Sequence, residues 1–254
     1  MALPSCDIPF PAMATAPNTY WQAWQGQALV VGPGGLGLAL AAELARRAPS
    51  LRVRTAGRRG ADLPLDLTDD SSLERLSAMA TRDLAPLRVV INTAGLLHDG
   101  ALQPEKRLSQ VRRQALERSF AVNAFGPLLL AQAIEPALAK DGPVHFASLS
   151  ARVGSIGDNR LGGWYSYRAA KAAQNQLLRT LAIEWQRRLP QACVTLLHPG
   201  TAATPLSAPF SGFQAPSALF TPEQSAAHLL DVLERQSAAS SGAFLAWDGQ
   251  PVPW

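Results

Sequence analysis

Ala28-Leu29-Val30-Val31-Gly32-Pro33-Gly34-Gly35-Leu36-Gly37-Leu38 decides the fold. Four apolar residues make a short buried strand, a glycine-rich turn follows, and an alanine- and leucine-rich run from Leu38 to Arg47 makes a helix. Gly32, Gly34 and Gly37 satisfy the spacing G-x-G-x-x-G. In that pattern the glycines permit a tight turn and let the backbone approach a pyrophosphate at the helix N-terminus. An ordinary glycine loop carries the same letters; the flanking strand and helix favour dinucleotide binding through Gly32, Gly34, Gly35, Leu36 and Gly37.

Working outward, Leu51–Thr55 reads as the second strand and ends in Ala56-Gly57-Arg58-Arg59. A site of this kind that selects NAD places an acid about here for the ribose 2'-hydroxyl, whereas an arginine suits a 2'-phosphate. Arg58 therefore favours NADP(H), although two arginines in a turn are also ordinary solvated residues. Further strands are expected at Arg88–Ile91, Val144–Ser150, Ala192–Leu197 and Ala243–Gly249, with helices between them. Ser109 to Ala139 reads as one long helix, bent near Asn123 and Pro127. Thr221 with Pro222 starts another helix as N-cap and first residue. The expected fold is α/β, a Rossmann-type doubly wound parallel sheet in a single domain over residues 27–254. Residues 1–26, with Pro4, Pro9, Pro11 and Pro17, are expected to form a loosely held extension, and Met13 is an alternative start.

The composition narrows the partners. The chain has 254 residues, 47% hydrophobic and 17% charged, enough for a full core. No apolar run approaches a membrane span and no leader pattern opens the chain, so a cytoplasmic protein is expected. Cys6 and Cys193 make neither a disulfide framework nor a metal site. His98, His145, His198 and His228 are scattered without ligand spacing. The net charge of +4 comes from dispersed arginine pairs, which suits the approach of an anionic cofactor better than binding of nucleic acid.

The chemistry sits in Gly162-Gly163-Trp164-Tyr165-Ser166-Tyr167-Arg168-Ala169-Ala170-Lys171. Tyr167 and Lys171 are four apart and share a helix face. An ammonium beside a phenol favours the phenolate, so Lys171 is expected to pull the Tyr167 pKa down toward working pH. Tyr165 has no such partner, since Ala169 lies four residues on.

A Tyr-x-x-x-Lys pair following a nucleotide-binding half resembles the short-chain dehydrogenase/reductase family. The family's usual turn, Gly-x-x-x-Gly-x-Gly, is one residue longer than the one here. The resemblance implies that Asp66, in Leu65-Asp66-Leu67, reaches the adenine amine. Asn92-Thr93-Ala94-Gly95 is similar to the family's Asn-Asn-Ala-Gly step, where Asn92, Ala94 and Gly95 let the ribose lie close to the backbone. Asn123 resembles the asparagine that bends its helix and holds a water near the lysine. Pro199-Gly200-Thr201-Ala202-Ala203-Thr204 resembles the turn whose threonine and backbone meet the nicotinamide amide, and Pro205–Phe220 lies where the family keeps a substrate lid. The resemblance further implies that Lys171 also holds the nicotinamide ribose.

The family's carbonyl-polarising serine is harder to place. Counting back from Tyr167 reaches Gly154 and Ser155, whereas aligning Arg152-Val153-Gly154-Ser155-Ile156 on relatives puts Ala151 in the serine's position. Ser150 is the adjacent hydroxyl and the preferred candidate, with Ser148 and Ser155 as alternatives. Gly-Gly-Trp-Tyr-Ser-Tyr-Arg and Leu-Phe-Thr-Pro-Glu are similar to the C-factor branch, named for bacterial cell-to-cell signalling. The resemblance implies NADP(H)-dependent hydride exchange with a small carbonyl or alcohol, an apolar one given the lid, in a homodimer or homotetramer. The alternative is a cofactor-binding signalling or regulatory protein with little catalysis.

Overall fold

The computed structural model describes residues 20–100, 102–209 and 219–254. Seven parallel strands form one sheet: β1 (Gly26–Val31), β2 (Leu51–Gly57), β3 (Leu63–Pro64), β4 (Leu87–Asn92), β5 (Val144–Leu149), β6 (Ala192–His198) and β9 (Ala243–Ala246). Their order is β3-β2-β1-β4-β5-β6-β9, so the winding reverses between β1 and β4. A short parallel pair, β7 (Thr201–Ala202) and β8 (Leu219–Phe220), stands apart from it. The helices are α1 (Gly35–Arg47), α2 (Asp70–Asp83), α3 (Arg113–Phe120), α4 (Gly126–Ile134), α5 (Tyr165–Arg188) and α6 (Pro222–Glu234).

The strands are apolar throughout because both faces are covered. Alternate residues serve opposite cores: Leu29 and Val31 join the layer with Leu76, Leu130, Leu178 and Trp185, while Ala28 and Val30 join Leu40, Leu44, Leu229 and Leu233. Thr221 caps α6 as expected, in a reciprocal capping box with Gln224. Asp69 caps α2 by accepting from the Ser71 amide.

Two boundaries differ from the sequence reading. The segment before β1 is fixed rather than loosely held from residue 20 onward; residues 1–19 lie outside the described residues. Tyr20–Ala23 makes a 3-10 turn, and Trp21 (1% exposed) and Trp24 (8%) pack on His145, at ring distances of 5.7 and 5.3 Å. Two large aromatics without periodicity are invisible to a pattern search, yet they join the core layer that holds Leu40, Leu44 and Leu229. The long helix expected over Ser109–Ala139 starts later and is broken: a π-helical turn, Ala121–Phe125, separates α3 from α4. Asn123 and Pro127 mark that break, as expected.

His145 is buried with Nδ1 unpartnered among the described residues, and burial pushes its pKa down to about 4. Its folded-state value lies below the unfolded 6.5, so its stabilising contribution is complete above about pH 6.5 and is lost as pH falls toward 4. For one such group this amounts to on the order of 3 kcal/mol. His145→Phe should therefore flatten the decline in urea midpoint between pH 6.5 and 4, measured against the parent chain. An unchanged decline would assign it elsewhere, the half-buried His198 also being held near 4.

Candidate active site

The carboxyl ends of β1, β4 and β5 lie side by side, with Val31 opposite Asn92 and Asn92 opposite Ser148. Ligands of doubly wound sheets bind outside such a switch point. At the end of β1 the chain turns at Gly32 (φ +87°), the Gly34 amide bonding back to the Gly32 carbonyl at 2.8 Å. The glycines divide into two kinds. A Cβ on Gly32 would stand 2.7 Å from the Ala94 nitrogen, and one on Gly37 would stand 2.2 Å from the Gly32 carbonyl oxygen, so both serve the packing of the turn. Among the described residues, a Cβ on Gly34 would meet nothing within 4 Å, and one on Gly35 only Pro222 and Thr204 at 3.9 and 4.0 Å.

Helix α1 begins there with no side-chain cap. Its first amides and an open, Cβ-free approach fit a phosphate group, the donor set a dinucleotide's pyrophosphate requires. Leu36 is buried, so only its backbone can take part. Arg58 is exposed past the end of β2. Asp66 accepts from the Thr68 amide (2.9 Å) and hydroxyl (2.7 Å), while Leu67 is buried against Gly126.

Across the switch point, Thr93 donates to the Gly32 carbonyl at 2.6 Å and ties the β4 end to the glycine turn. Asn92 is fully buried; its Nδ2 donates to Ser148 Oγ at 2.9 Å and its Oδ1 accepts from the Ala94 amide. A Cβ on Gly95 would lie 3.4 Å from Asn123 Oδ1, 3.9 Å from Lys171 Nζ and 4.0 Å from Leu206. Gly95, Asn123 and Lys171 therefore meet at one place. The Asn123 side chain is held by the Leu96 amide and carbonyl, at 2.9 and 2.8 Å, so it braces the loop after β4. Pro199 accepts from Ser225 through its carbonyl, and Gly200 (φ +71°) turns the chain under Phe220 and Trp247. Thr204 faces Gly35 across the cleft.

Tyr167 and Lys171 stand on the same face of α5, with Nζ 5.8 Å from the ring centre. Their electrostatics differ from the expectation. Burial, and not the neighbouring amine, dominates both groups: it pushes the Tyr167 phenol above its ordinary value and the Lys171 amine down to about 7. The amine is spent on other partners, donating to the Leu149 carbonyl at 2.8 Å and to Gln174 Oε1 at 2.9 Å.

All three candidate serines are engaged within the protein. Ser150 donates its one proton to Asn175 Oδ1 at 2.6 Å. Ser148 Oγ accepts from Asn92 and Gln174, and Ser155 Oγ accepts from the Asp158 amide at 3.0 Å.

Several residues around the pair carry no motif. Gly162 (φ +63°), Gly163 (φ +66°) and Trp164 (φ +52°) are consecutively left-handed, a strained conformation for tryptophan. Glu105, 3% exposed, fixes this bend: its carbonyl accepts from the Trp164 amide and its carboxylate from the Ser166 amide and hydroxyl, at the N-terminus of α5. Arg168 closes it from the other side, donating to the carbonyls of Gly162 (3.2 Å) and Gly163 (3.0 Å). The Trp164 ring stands edge-on to Tyr167 at 6.3 Å. His98 Nε2 reaches the Pro205 and Leu206 carbonyls at 3.2 and 3.1 Å, tying the loop after β4 to the start of the expected lid. Residues 210–218 of that lid lie outside the described residues.

A separate cavity of about 390 Å³ lies at the amino ends of β5 and β6, the wrong end of the sheet for this chemistry. Its acid, Glu135, is already paired with Arg188 and Trp185. Among the described residues no cluster of His, Cys, Asp and Glu is placed to hold a metal, and no helix is long and apolar enough to cross a membrane.

Residues 36–252 match a family model described as enoyl-(acyl carrier protein) reductase. The 1-hydroxy-2-glutathionyl-2-methyl-3-butene dehydrogenase of Rhodococcus sp. (strain AD45) is 32% identical over 192 residues, covering 75% of this chain and 78% of the relative. C-signal of Myxococcus xanthus is 32% identical over 170 residues, covering 66% and 93%. Among solved structures, NADPH-bound carbonyl reductase from chicken fatty liver superposes with a TM-score of 0.74 at 25% identity, over 91% of this chain and 99% of the other. A short-chain dehydrogenase/reductase from Burkholderia multivorans with bound NADP gives 0.69 at 25%, over 91% and 100%.

Proposed function

This chain belongs to the short-chain dehydrogenase/reductase family, and on that premise we propose that it is an NADP(H)-dependent reductase of small, apolar carbonyl compounds with Tyr167 as proton donor. The observation that carries the reading is the convergence of Gly95, Asn123 and Lys171 beside Tyr167, at the same sheet end as the uncapped helix α1. When bound, the reduced nicotinamide supplies the hydride. The α1 amides and Gly34–Gly35 would hold the pyrophosphate, Arg58 a 2'-phosphate, Asp66 and Leu67 the adenine side, Gly95 and Lys171 the ribose, and Pro199–Thr204 the nicotinamide amide.

Tyr167 Oη transfers its proton to the carbonyl oxygen as negative charge develops there. The phenol carries that proton at neutral pH, and burial makes it a weaker acid, so its release calls for stabilisation of the phenolate. Lys171 stands near enough to place positive charge beside the resulting phenolate. Asn123 fixes the loop carrying Gly95, and Glu105 with Arg168 fixes the bend that delivers the Trp164 and Tyr167 rings. Ser150 joins in polarising the carbonyl only by giving up its bond to Asn175. The NADP(H) preference rests on Arg58 and on the acid at this sheet end, Asp62, being engaged by the Thr55 amide (2.7 Å) and hydroxyl (3.0 Å). The two NADP-bound structures at 25% identity support the same preference.

A second reading, a cofactor-binding signalling protein with slight turnover, is favoured by the committed Ser150 proton and by the similarity to C-signal. NADPH consumption against a panel of apolar aldehydes and ketones separates the two. Turnover that saturates with at least one compound supports the reductase; cofactor binding with no turnover across the panel supports the signalling protein.

A further inference from the structure

Gln174 lies one helical turn beyond Lys171 on α5 and is wholly buried, in a place where the nucleotide-binding pattern asks for no polar group. Its two amide atoms do different work. Oε1 accepts from Lys171 Nζ at 2.9 Å; Nε2 donates to Ser148 Oγ at 2.8 Å and to the Leu149 carbonyl at 3.2 Å. Ser148 Oγ in turn accepts from Asn92 Nδ2 at 2.9 Å. A continuous buried chain therefore runs from the residue ending β4, through β5, to the amine. A glutamine in an apolar interior is costly unless every polar atom is paired, and here both side-chain polar atoms are.

The consequence falls on the lysine. An ammonium has three hydrogens to give, and Leu149 and Gln174 take two of them. Both acceptors lie toward the end of β5, and the Gly95 Cβ position stands on the cleft side at 3.9 Å. We propose that Gln174 is a positioning residue for Lys171: its side-chain oxygen, oriented by Ser148 and Asn92, fixes where the amine stands between the β5 end and Tyr167. The proposal rests on the reductase reading for its catalytic meaning, but the coupling of Gln174 to the amine does not.

The groups placed around Nζ from each neighbouring element are Tyr167 on α5, the Leu149 carbonyl on β5, Gly95 after β4, Asn123 in the π-helical turn, and Gly154 in the 3-10 turn packed on the Lys171 backbone. Of these only Tyr167 titrates. A carboxylate at position 174 therefore adds the nearest negative charge at nearly the same shape, and it exchanges the Nε2 donor to Ser148 Oγ and the Leu149 carbonyl for an acceptor.

The test compares Gln174→Glu, Gln174→Met and Lys171→Met in the full chain by two measurements, thermal melting of the cofactor-free protein from pH 6 to 10.5 and the pH dependence of NADPH-driven turnover. With the folded amine held near 7 against 10.5 unfolded, stability rises with pH across that interval, because the unfolded chain binds the extra proton. Gln174→Glu should move the start of that rise upward by about one to three pH units and shift the matching step in turnover with it. Gln174→Met should move both downward, and Lys171→Met should abolish the rise, leaving no rise for Gln174→Glu to move on top of it. Should the methionine variant fail to fold, the near-isosteric glutamate still decides. A melting profile of Gln174→Glu that superposes on the parent's, or one that shifts equally in the Lys171→Met background, overturns the proposal. Shifted melting with no turnover in the parent chain upholds the Gln174–Lys171 coupling and removes the reductase reading instead.

Discussion

Tyr167→Phe should lower NADPH-dependent turnover by roughly 10²- to 10⁴-fold while leaving NADPH affinity within about threefold, since it deletes one hydroxyl that acts as a proton donor. The ring stays, so its edge-on packing with Trp164 stays, and the melting temperature should barely move. Two comparators sharpen the result. Tyr165→Phe, at a position 41% exposed two residues earlier, should change nothing measurable. Ser150→Ala removes a hydroxyl whose proton already goes to Asn175, and it should cost turnover far less than Tyr167→Phe while lowering stability by about 1 kcal/mol for the lost bond. Steady-state kinetics with the best compound of the panel, beside an NADPH titration, reads all three. If Ser150→Ala proved as damaging as Tyr167→Phe, the bond to Asn175 must open during the reaction, and the serine would regain the role its family resemblance implies.

The second large effect separates two jobs that the glycine turn combines. Gly37→Ala places a methyl 2.2 Å from the Gly32 carbonyl oxygen and 2.8 Å from Thr93 Oγ1, both fixed by the bond joining the turn to β4. Neither neighbour is the flexible end of a long side chain, so the turn itself must move. The expected cost is about 3 kcal/mol, a melting temperature lowered by roughly 6 to 12 °C. Gly34→Ala places its methyl clear of every described residue, at φ −78°, where any residue is at ease. That variant should melt like the parent yet bind NADPH at least tenfold more weakly, because the methyl occupies the approach to the α1 amides. Thermal melting and cofactor titration of both variants check the division; weakened binding in neither would place the pyrophosphate elsewhere.

The fold was legible because its signals are local. Val30-Val31-Gly32 through Arg47 spells strand, turn and helix in one stretch, and Thr221-Pro222 spells a helix start in two residues. The break at Asn123 was legible for the same reason, a poor helix former just ahead of a proline. What stayed hidden depends on contacts between distant segments. Trp21 and Trp24 are recognisable as core only once His145 is seen beneath them. Glu105 resembles any loop acid until the N-terminus of α5 is laid on it, 61 residues later in the chain. Gln174 sits on the buried stripe of α5, where its one hint was a polar residue facing a sheet.

The direction of the Tyr167 shift was misjudged because helical spacing gives proximity and says nothing of solvent. An amine four residues away favours a phenolate only while it keeps its own charge cheaply, and inside this cleft burial acts against both ions. For Ser150, adjacency in sequence to the family's serine did not reveal that Asn175 would take its proton.

The most direct test of the central claim is a titration of the full chain with NADPH and with NADH, following the fluorescence of the reduced nicotinamide. The account predicts saturable one-to-one binding of NADPH, NADH weaker by about tenfold or more, and loss of most of that difference in Arg58→Ala. Saturable binding of neither dinucleotide would contradict it.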